Sequence, residues 1–412
     1  MKKFYLEQKQ FVWWALFLLL LMGMGLVAAG LIFAKGLGLT NLTNLVPWGL
    51  WIAIDLSAIG LSAGAFLLSA GVYLLGLKRF EPVARTAVFI GLVGYSMAMM
   101  TLLLDIGRPD RFWHGYIYWN IHSPLWEVTM CVSLYFSVLL LEMAPMLGQA
   151  AWFQARWPRL AQRFQQIHHL APYLAVIGLG LSTLHHSSLG STYGVLRSRP
   201  VWYRPNLAVL FYVSAIAAGP ALTVLASRLA AYCSPKAVIR RELLEPVTRF
   251  IGLVLLVYLG LRLWDLRVMS NGLLPGRSES LALLTHGPLA VNFWFFEMGL
   301  GIVLPMIILL SGRLRQSNRL SLFALFLVVI GLIAFRWDTN LVGQMVVFTY
   351  QPHDLAPVYT TYTPSLIEIV VGMGVIAYGL LVFSLAVRYL NLVNHLSASP
   401  AGAKATLALS PA

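Results

Sequence analysis

Ten long apolar stretches dominate this sequence and constrain its fold more than any other feature. A helix needs about 20 predominantly apolar residues to cross the hydrocarbon core of a bilayer. The stretches therefore predict an all-α, polytopic membrane protein with ten transmembrane helices. The predicted spans are residues 11–34, 47–77, 85–107, 122–147, 168–188, 204–233, 247–270, 285–312, 318–337 and 364–392.

Composition supports a single membrane domain over all 412 residues. Hydrophobic residues make up 59% of the chain and charged residues only 11%, whereas soluble domains carry about 25% charged residues. The first span is too long for the core of a signal peptide, so we expect it to be a retained helix. The longest connection, 338–363, is typical of a lid, a docking surface or a plain connector.

The distribution of basic residues predicts the orientation. If the N-terminus is cytoplasmic, most of the 29 Lys and Arg fall on the cytoplasmic side, as the positive-inside rule requires. Both termini are then cytoplasmic. We call the opposite side of the membrane the outer side. The net charge of +14 is scattered over short loops, which argues against nucleic acid as a partner.

Ionisable residues inside the predicted spans are the strongest functional signal, because such residues are costly in a bilayer and usually mark a site or an ion pair. The direction of each span places them in the outer halves and leaves the inner halves nearly uncharged. They are Asp55, Asp105, Glu127, His185, His186, Arg262, Asp265, Glu297, Arg336 and Glu368.

These residues admit a structural explanation as well as a functional one. Three lie at span ends and could reach water by snorkelling: Asp105, Arg336 and Glu368. Four lie too deep for this and could instead form a buried ion-pair network: Asp55, Arg262, Asp265 and Glu297. Arg262 and Asp265 are three residues apart and can meet on one helix face.

A polar cavity that opens toward the outer side suits proton-coupled chemistry. Quinol oxidation releases two electrons and two protons, and His or carboxylate side chains can accept the protons. The surrounding apolar helices would hold the isoprenoid tail of the quinone.

The order of the ionisable residues suggests an internal repeat. The pairs at equivalent places are Asp105 and Asp265, Glu127 and Glu297, and His185 and Arg336. We therefore expect two parallel four-helix bundles, formed by helices 2–5 and 6–9 and flanked by helices 1 and 10. Parallel repeats are common in membrane proteins.

Six segments together resemble one family of membrane subunits. They are residues 47–56 (PWGLWIAIDL), 104–108 (LDIGR), 123–127 (SPLWE), 183–191 (TLHHSSLGS), 293–297 (FWFFE) and 335–337 (FRW). The set resembles the NrfD/polysulfide-reductase family, in the ten-helix form of uptake-hydrogenase and sulfur-metabolism complexes. The resemblance covers nearly the whole chain.

The resemblance implies a subunit of the bacterial or archaeal plasma membrane that exchanges electrons with quinone (menaquinone or ubiquinone). The implied partners are a ferredoxin-like iron–sulfur subunit and a catalytic subunit of molybdopterin, hydrogenase or multihaem type. The resemblance implies that this chain contains no haem and no iron–sulfur cluster. The chain would carry the quinone site, and a partner subunit would carry the catalytic centre. The resemblance also allows proton translocation.

Carried over by motif, the candidates for quinone and proton chemistry are Asp55, Asp105, Glu127, His185, Ser188 and Arg336. We expect catalytic roles for Glu127, His185, Asp55 and Asp105. Quinone binding is expected of His185, His186, Ser188, Glu127 and Arg336. The expected proton pathway comprises Asp55, Arg262, Asp265, Glu297 and Glu368. His186 departs from the pattern of the hydrogenase-type relatives, in which we expect glutamine there, and this leaves open which of the two histidines faces the site.

Other functions compete with this interpretation. A b-type haem would need facing histidines, and only His185 or His186 with His122 or His286 offers an outer pair. A proton-coupled transporter and a passive membrane anchor are further alternatives. Cys131 and Cys233 form no CxxC motif, which argues against a cysteine-ligated cluster within the chain.

Overall fold

The computed structural model describes residues 8–74, 76–77, 80–204, 206–233, 241–271, 276–351, 354–390 and 392. Ten of its helices are long and apolar enough to cross a membrane. The all-α, polytopic prediction is thereby confirmed, and the chain is an integral membrane protein. The two termini, which we predicted to be cytoplasmic, lie outside the described residues.

The ten long helices are labelled in chain order. They are α1 (Gln8–Lys35), α2 (Leu50–Leu74), α3 (Glu81–Asp105), α4 (Pro124–Gly148), α5 (Ala171–Gly194), α6 (Asn206–Cys233), α7 (Arg241–Ser270), α8 (Asn292–Leu310), α9 (Asn318–Val342) and α10 (Leu366–Tyr389). Helix α8 begins as a π-helix over Asn292–Val303. Such wide turns are frequent at functional sites.

Short elements connect the long helices. Helical turns cover Leu37–Leu39, Pro109–Arg111, His114–Ile117, Ala151–Arg156, Pro158–Gln166, Ile167–Leu170, Arg277–Thr285 and Gly312–Gln316. An antiparallel hairpin of β1 (Val346–Gln351) and β2 (Asp354–Tyr359) follows α9, with Val346 opposite Tyr359.

Helix packing follows the chain order within each half. In the first half α2 contacts α3, α3 contacts α4, α4 contacts α5, and α5 returns to α2. In the second half α6, α7, α8 and α9 contact one another in the same cyclic way. These contacts are those that two four-helix bundles require, and the division into two parallel bundles stays a prediction.

Helices α1 and α10 pack against each other outside these two sets, and α10 also contacts α2 and α3. The guanidinium of Arg388 near the end of α10 lies 4.3 Å from the centre of the Phe11 ring near the start of α1. The first and last described helices therefore begin and end on the same side of the membrane. This is the inner side in the predicted orientation.

Two glycines allow the halves to approach each other closely. Gly64 on α2 faces Gly219 on α6, and a Cβ built on Gly219 would lie 2.1 Å from the backbone nitrogen of Ala65. No side chain fits there. Such contacts between small residues are a common way for membrane helices to pack.

Helix α9 continues to Val342, five residues beyond the predicted span, and the hairpin occupies much of the predicted loop. The polar residues that suggested a loop find partners inside the protein. The indole nitrogen of Trp202 donates to the Thr339 carbonyl at 2.7 Å, and Asn340 Nδ2 donates to the Trp48 carbonyl at 2.9 Å. Satisfied polar groups can extend a buried helix.

Candidate functional site

Most of the predicted site residues fall into two buried polar clusters, in the half of the protein that is the outer one in the predicted orientation. The Asp55 cluster comprises Asp55, Tyr95, Asp105, His185, His186, Tyr193 and Arg336. The Arg262 cluster comprises Arg204, Arg262, Asp265, Glu297 and Asp338. The clusters adjoin each other at Tyr258, which interacts electrostatically with both Arg336 and Glu297.

Arg262 is the centre of a buried ion-pair network. Its Nε and Nη2 donate to the two carboxylate oxygens of Glu297 at 2.6 and 3.2 Å. Its Nη1 donates to Asp265 Oδ2 at 2.7 Å. The guanidinium also lies 5.3 Å from the centres of the Phe293 and Phe335 rings. The predicted meeting of Arg262 and Asp265 on one face is observed.

A second cation completes this network. Arg204 Nη1 lies 3.1 Å from Asp265 Oδ1, and both side chains are buried. Arg204 comes just before α6 and was not predicted as a site residue. Two guanidinium groups thus neutralise the carboxylates of Asp265 and Glu297, which reduces the cost of burying all four charges.

Asp338 lies beside this network inside α9. Asn292 Nδ2 donates to Asp338 Oδ1 at 2.8 Å and to the Ala334 carbonyl at 3.1 Å. The other oxygen, Asp338 Oδ2, is buried and has no hydrogen-bond partner among the described residues. Asp338 falls within the predicted connection 338–363, so it was not predicted as a site residue.

Glu368 is held by hydrogen bonds at the N-terminus of α10. Its Oε2 accepts from the Ser365 backbone and hydroxyl at 2.8 and 2.7 Å and from the Asn41 backbone at 3.1 Å. Its Oε1 accepts from the Tyr362 hydroxyl. Burial and this hydrogen bond raise the pKa of Tyr362. These contacts account for the burial of Glu368 without any proton transfer.

The two adjacent histidines on α5 face different neighbours. The Tyr95 hydroxyl and His185 Nδ1 form a hydrogen bond of 2.7 Å. His186 Nδ1 donates to the Ser182 carbonyl at 3.1 Å, which assigns its proton to Nδ1. The Nε2 atoms of both rings are buried without a hydrogen-bond partner in the described part of the chain. Each is thus available to a ligand.

Asp55 and Asp105 are the carboxylates of the Asp55 cluster. They interact electrostatically with each other and with Tyr193, whose hydroxyl donates to Asn340 Oδ1 at 3.1 Å. One oxygen of each carboxylate, Oδ1, is buried without a partner among the described residues.

The position of Arg336 in its helix differs more from the predicted one than that of any other predicted site residue. We expected it at the end of a span, where it could reach water, but it lies six residues inside the end of α9 and is 0% exposed. Its Nη2 donates to the Phe211 carbonyl at 2.9 Å and to Ser214 Oγ at 3.3 Å. Its Nε and Nη1 have no partner among the described residues.

Besides Glu368, two further predicted residues belong to neither cluster. Glu127 lies in the first turn of α4 behind the N-cap Ser123 and is partly exposed. No described contact joins it to Asp55 or His185. The Ser188 hydroxyl donates to the Leu184 carbonyl of its own helix at 2.8 Å. A common site that includes Glu127 or Ser188 stays a prediction.

The family model for polysulphide reductase, NrfD, matches residues 38–348. The chain belongs to the NrfD family. The resemblance seen in the sequence motifs is thereby confirmed. The match begins after α1 and ends before α10, so it covers the helices of both polar clusters and excludes the flanking pair.

Several curated relatives align with this NrfD chain over most of its length. The menaquinone reductase integral membrane subunit of Nitratidesulfovibrio vulgaris is 33% identical over 395 residues, 92% of this chain and 91% of that protein. A selenate reductase subunit of Mesobacillus selenatarsenatis is 27% identical, with 90% and 92% covered. The probable Ni/Fe-hydrogenase 2 b-type cytochrome subunit of Escherichia coli is 25% identical, with 92% and 91% covered.

A large apolar cavity of the NrfD chain lies below the Asp55 cluster. It has a volume of about 810 Å³ between α2, α3, α6, α9 and α10. Ala58 and Ser62 line it, three and seven residues after Asp55. These spacings place all three on one face of α2. The cavity therefore begins about one turn below the Asp55 carboxylate.

The cavity opens on the membrane-facing surface of the NrfD chain, because several of its lining side chains are about half exposed: Leu229, Phe326, Ile376 and Leu380. An apolar chain from the bilayer can enter such a groove without crossing water.

Two further functional candidates, Glu142 and Tyr95, were not predicted from the sequence. Glu142 lies within the predicted span 122–147, so its charge was a sufficient signal, and the expectation that the inner halves are nearly uncharged is wrong at this residue. Nothing in the sequence marks Tyr95 as a site residue, because only the packing of α3 against α5 brings it to His185.

Among the described residues no group of three metal-ligating side chains could hold a metal ion.

Proposed function

We propose that this chain is the quinone-interacting membrane subunit of a respiratory oxidoreductase complex, and that it passes electrons between quinone and an iron–sulfur partner. The name of the menaquinone reductase relative supports this, since that protein aligns with 92% of the chain. The three relatives above are named as subunits, which supports a role inside a larger complex.

One observation carries the proposal: the Asp55 cluster contains six buried polar atoms without a hydrogen-bond partner among the described residues. They are Asp55 Oδ1, Asp105 Oδ1, His185 Nε2, His186 Nε2, and Arg336 Nε and Nη1. Buried polar groups are normally hydrogen-bonded, so such a concentration calls for a ligand. The guanidinium can donate to a quinone carbonyl, and the carboxylates and histidines can accept the hydroxyl protons of a quinol.

The apolar cavity supplies the second half of a quinone site. We place the ring of the quinone near Asp55 and its isoprenoid tail in the cavity that starts at Ala58. The lateral opening would admit the tail from the bilayer. Neither menaquinone nor ubiquinone is favoured by these contacts.

Glu127 remains our candidate for proton exchange with the outer surface, because its side chain is partly exposed at the outer end of α4. The iron–sulfur partner would dock on this outer side, where the electrons must arrive or leave. A catalytic subunit of molybdopterin, hydrogenase or multihaem type would bind that partner. Both termini would be cytoplasmic in a bacterial or archaeal plasma membrane.

Proton translocation is a second candidate function, favoured by the Arg262 cluster. Arg262 forms ion pairs with Asp265 and Glu297 in this cluster. Two other polar groups, Asp338 Oδ2 and the Tyr258 hydroxyl, are buried without a hydrogen-bond partner among the described residues. Such groups can accept or relay a proton. We propose Asp265 and Glu297 as parts of that pathway only together with Asp338, since Arg262 already satisfies the first two.

The histidine geometry does not favour a b-type haem. His185 is paired with Tyr95, and His122 and His286 lie on exposed connections rather than opposite the buried rings. An absorption spectrum of the purified protein without haem bands would support the quinone site, and a b-type spectrum would contradict this part of the proposal.

Binding of a water-soluble menaquinone analogue to the purified protein tests the site directly. We expect Asp55→Asn and His185→Ala each to weaken binding by about tenfold or more, because the first replaces a charged acceptor oxygen by an amide group and the second removes a buried imidazole. Asp110→Asn is the matched control, since Asp110 is an exposed carboxylate of the same side paired with Arg108. Equal affinity in all variants would contradict the site, and no binding by the wild-type protein would contradict the function.

A further inference from the structure

Glu142 is a buried carboxylate in the inner half of α4 that the proposed quinone site does not use. Both of its carboxylate oxygens are buried and accept no hydrogen bond from the described residues. It lies 15 residues after Glu127 on the same helix, about 22 Å further toward the inner side. A carboxylate left without donors inside a membrane is costly, and such residues usually take part in function.

A small polar cavity connects Glu142 with the inner surface. Its volume is about 40 Å³, and Arg85, Gln149 and His168 line it together with Glu142. This space holds about two or three water molecules. Arg85 Nη1 donates to Gln149 Oε1 at 3.0 Å at an exposed position, and His168 is exposed. Polar groups therefore extend from the inner surface to the buried carboxylate.

Tyrosines continue this polar line toward the outer half. Tyr135 precedes Glu142 by seven residues, or two helical turns, which places both side chains on one face of α4 about 10 Å apart along the axis. The centres of the Tyr135 and Tyr95 rings are 4.6 Å apart. The Tyr95 hydroxyl in turn forms the hydrogen bond of 2.7 Å with His185 Nδ1. The line thus ends at a candidate residue of the quinone site.

We propose that Glu142 is the proton-transfer residue of an inner half-channel, which exchanges protons between the inner surface and His185 through Tyr135 and Tyr95. Bridging water would complete the two-turn gap between Glu142 and Tyr135. The inference rests on the proposed function, because quinone chemistry at His185 is what consumes or releases the protons.

The balance of the reaction defines the task of this half-channel. Reduction of a quinone to its hydroquinone takes up two electrons, which the proposed iron–sulfur partner supplies from the outer side, and two protons, of which those that pass Glu142 come from the inner side. Oxidation of the quinol moves the same electrons and protons in the opposite directions. Each turnover would therefore separate charge across the membrane.

Proteoliposomes that contain the complete complex in one orientation provide the test, with pH indicators inside and outside. We expect Glu142→Gln to slow quinone turnover by about 10- to 100-fold, or to shift proton exchange from the inner to the outer side. Glu142→Asp should retain most of the activity and the inner-side exchange. Glu245→Gln is the control, because Glu245 is an inner-side carboxylate paired with Arg315 away from this line.

Tyr135→Phe keeps the ring packing and removes only the hydroxyl, so it tests the line even if Glu142→Gln fails to insert. Turnover and inner-side proton exchange at wild-type values in Tyr135→Phe and in any inserted Glu142→Gln protein would overturn the half-channel while leaving the quinone site intact. A wild-type complex without quinone activity would instead contradict the proposed function on which the inference rests.

Discussion

The guanidinium of Arg336 lies 3.7 Å from the centre of the Phe211 ring, and its Nη2 donates to the Phe211 carbonyl at 2.9 Å. One residue of α6 thus contacts a buried cation of α9 through both its ring and its backbone. Aromatic faces stabilise guanidinium groups when water is excluded. The charge of Arg336 is held in place while its Nε and Nη1 stay available to a ligand.

Arg336→Lys should lower quinone turnover by at least about tenfold, because a lysine ammonium cannot contact Phe211 and a ligand in the planar geometry of guanidinium. The measurement is quinol-linked electron transfer in membranes that contain equal amounts of the protein. Arg388→Lys is a matched control, since Arg388 contacts the ring of Phe11 on the inner side. Equal losses in both variants would argue against a role of Arg336 in the site.

His185→Ala should reduce turnover by about 10²- to 10⁴-fold, the usual effect of removing a general acid or base, while the protein still inserts. His286→Ala removes an exposed histidine of the outer side and should leave turnover unchanged. Steady-state rates of quinone turnover in proteoliposomes, compared between His185→Ala and His286→Ala, test this prediction. Wild-type turnover in His185→Ala would refute the proposed role.

Glu127→Gln should also abolish quinol-dependent reduction of the partner if Glu127 exchanges protons with the outer surface. The loss should reach about 10²-fold, with insertion unaffected because the partly exposed carboxylate has no described hydrogen-bond donor. Rates at equal protein content measure the effect. Full activity in this variant would show that Glu127 is not part of the site, and it would not contradict the proposed role of the Asp55 cluster.

Glu297→Gln should destabilise the protein by about 3–5 kcal/mol, because it leaves the buried Arg262 without its bidentate partner. Glu245→Gln breaks a partly exposed pair with Arg315 and should cost less than about 1 kcal/mol. Thermal unfolding in detergent compares the two variants. Similar midpoints would show that the Arg262 network contributes little to stability.

Gly219→Ala should destabilise the protein by about 1–3 kcal/mol, because the added methyl group would overlap the backbone of α2 at Gly64 and Ala65. Gly260→Ala is the matched control, since a Cβ built there meets nothing within 4 Å. The thermal unfolding midpoints of the two variants test this prediction. Unchanged stability in Gly219→Ala would show that α2 and α6 can move apart to accommodate a methyl group without a loss of stability.

Sequence reasoning located most of the ionisable residues that the structure buries in the outer half. It worked because charge inside an apolar span is rare and conspicuous. It misplaced the surroundings of Arg336 and Asp338, because the polar residues after position 337 resemble the start of a loop. Only their partners on other helices, such as Asn292 for Asp338, explain why α9 continues.

The hydrogen bond between Tyr95 and His185 could not be predicted, since tyrosine in a span is ordinary and its partner is 90 residues away. The charge of Glu368 suggested a proton pathway, and its role there stays a prediction. Its hydrogen bonds with Ser365, Asn41 and Tyr362 also give it a structural role that only the tertiary structure reveals.

The sequence by itself determined the ten membrane helices and which of them carry charge, because hydropathy and helix length are local properties of the chain. The motifs within those helices also indicated the NrfD family. Tertiary structure decided which charges are neutralised and which stay available. Arg262 meets two carboxylates, whereas Arg336 meets a ring and a carbonyl. The physical reason is that the cost of a buried charge depends on partners from other helices, and only packing brings those partners together.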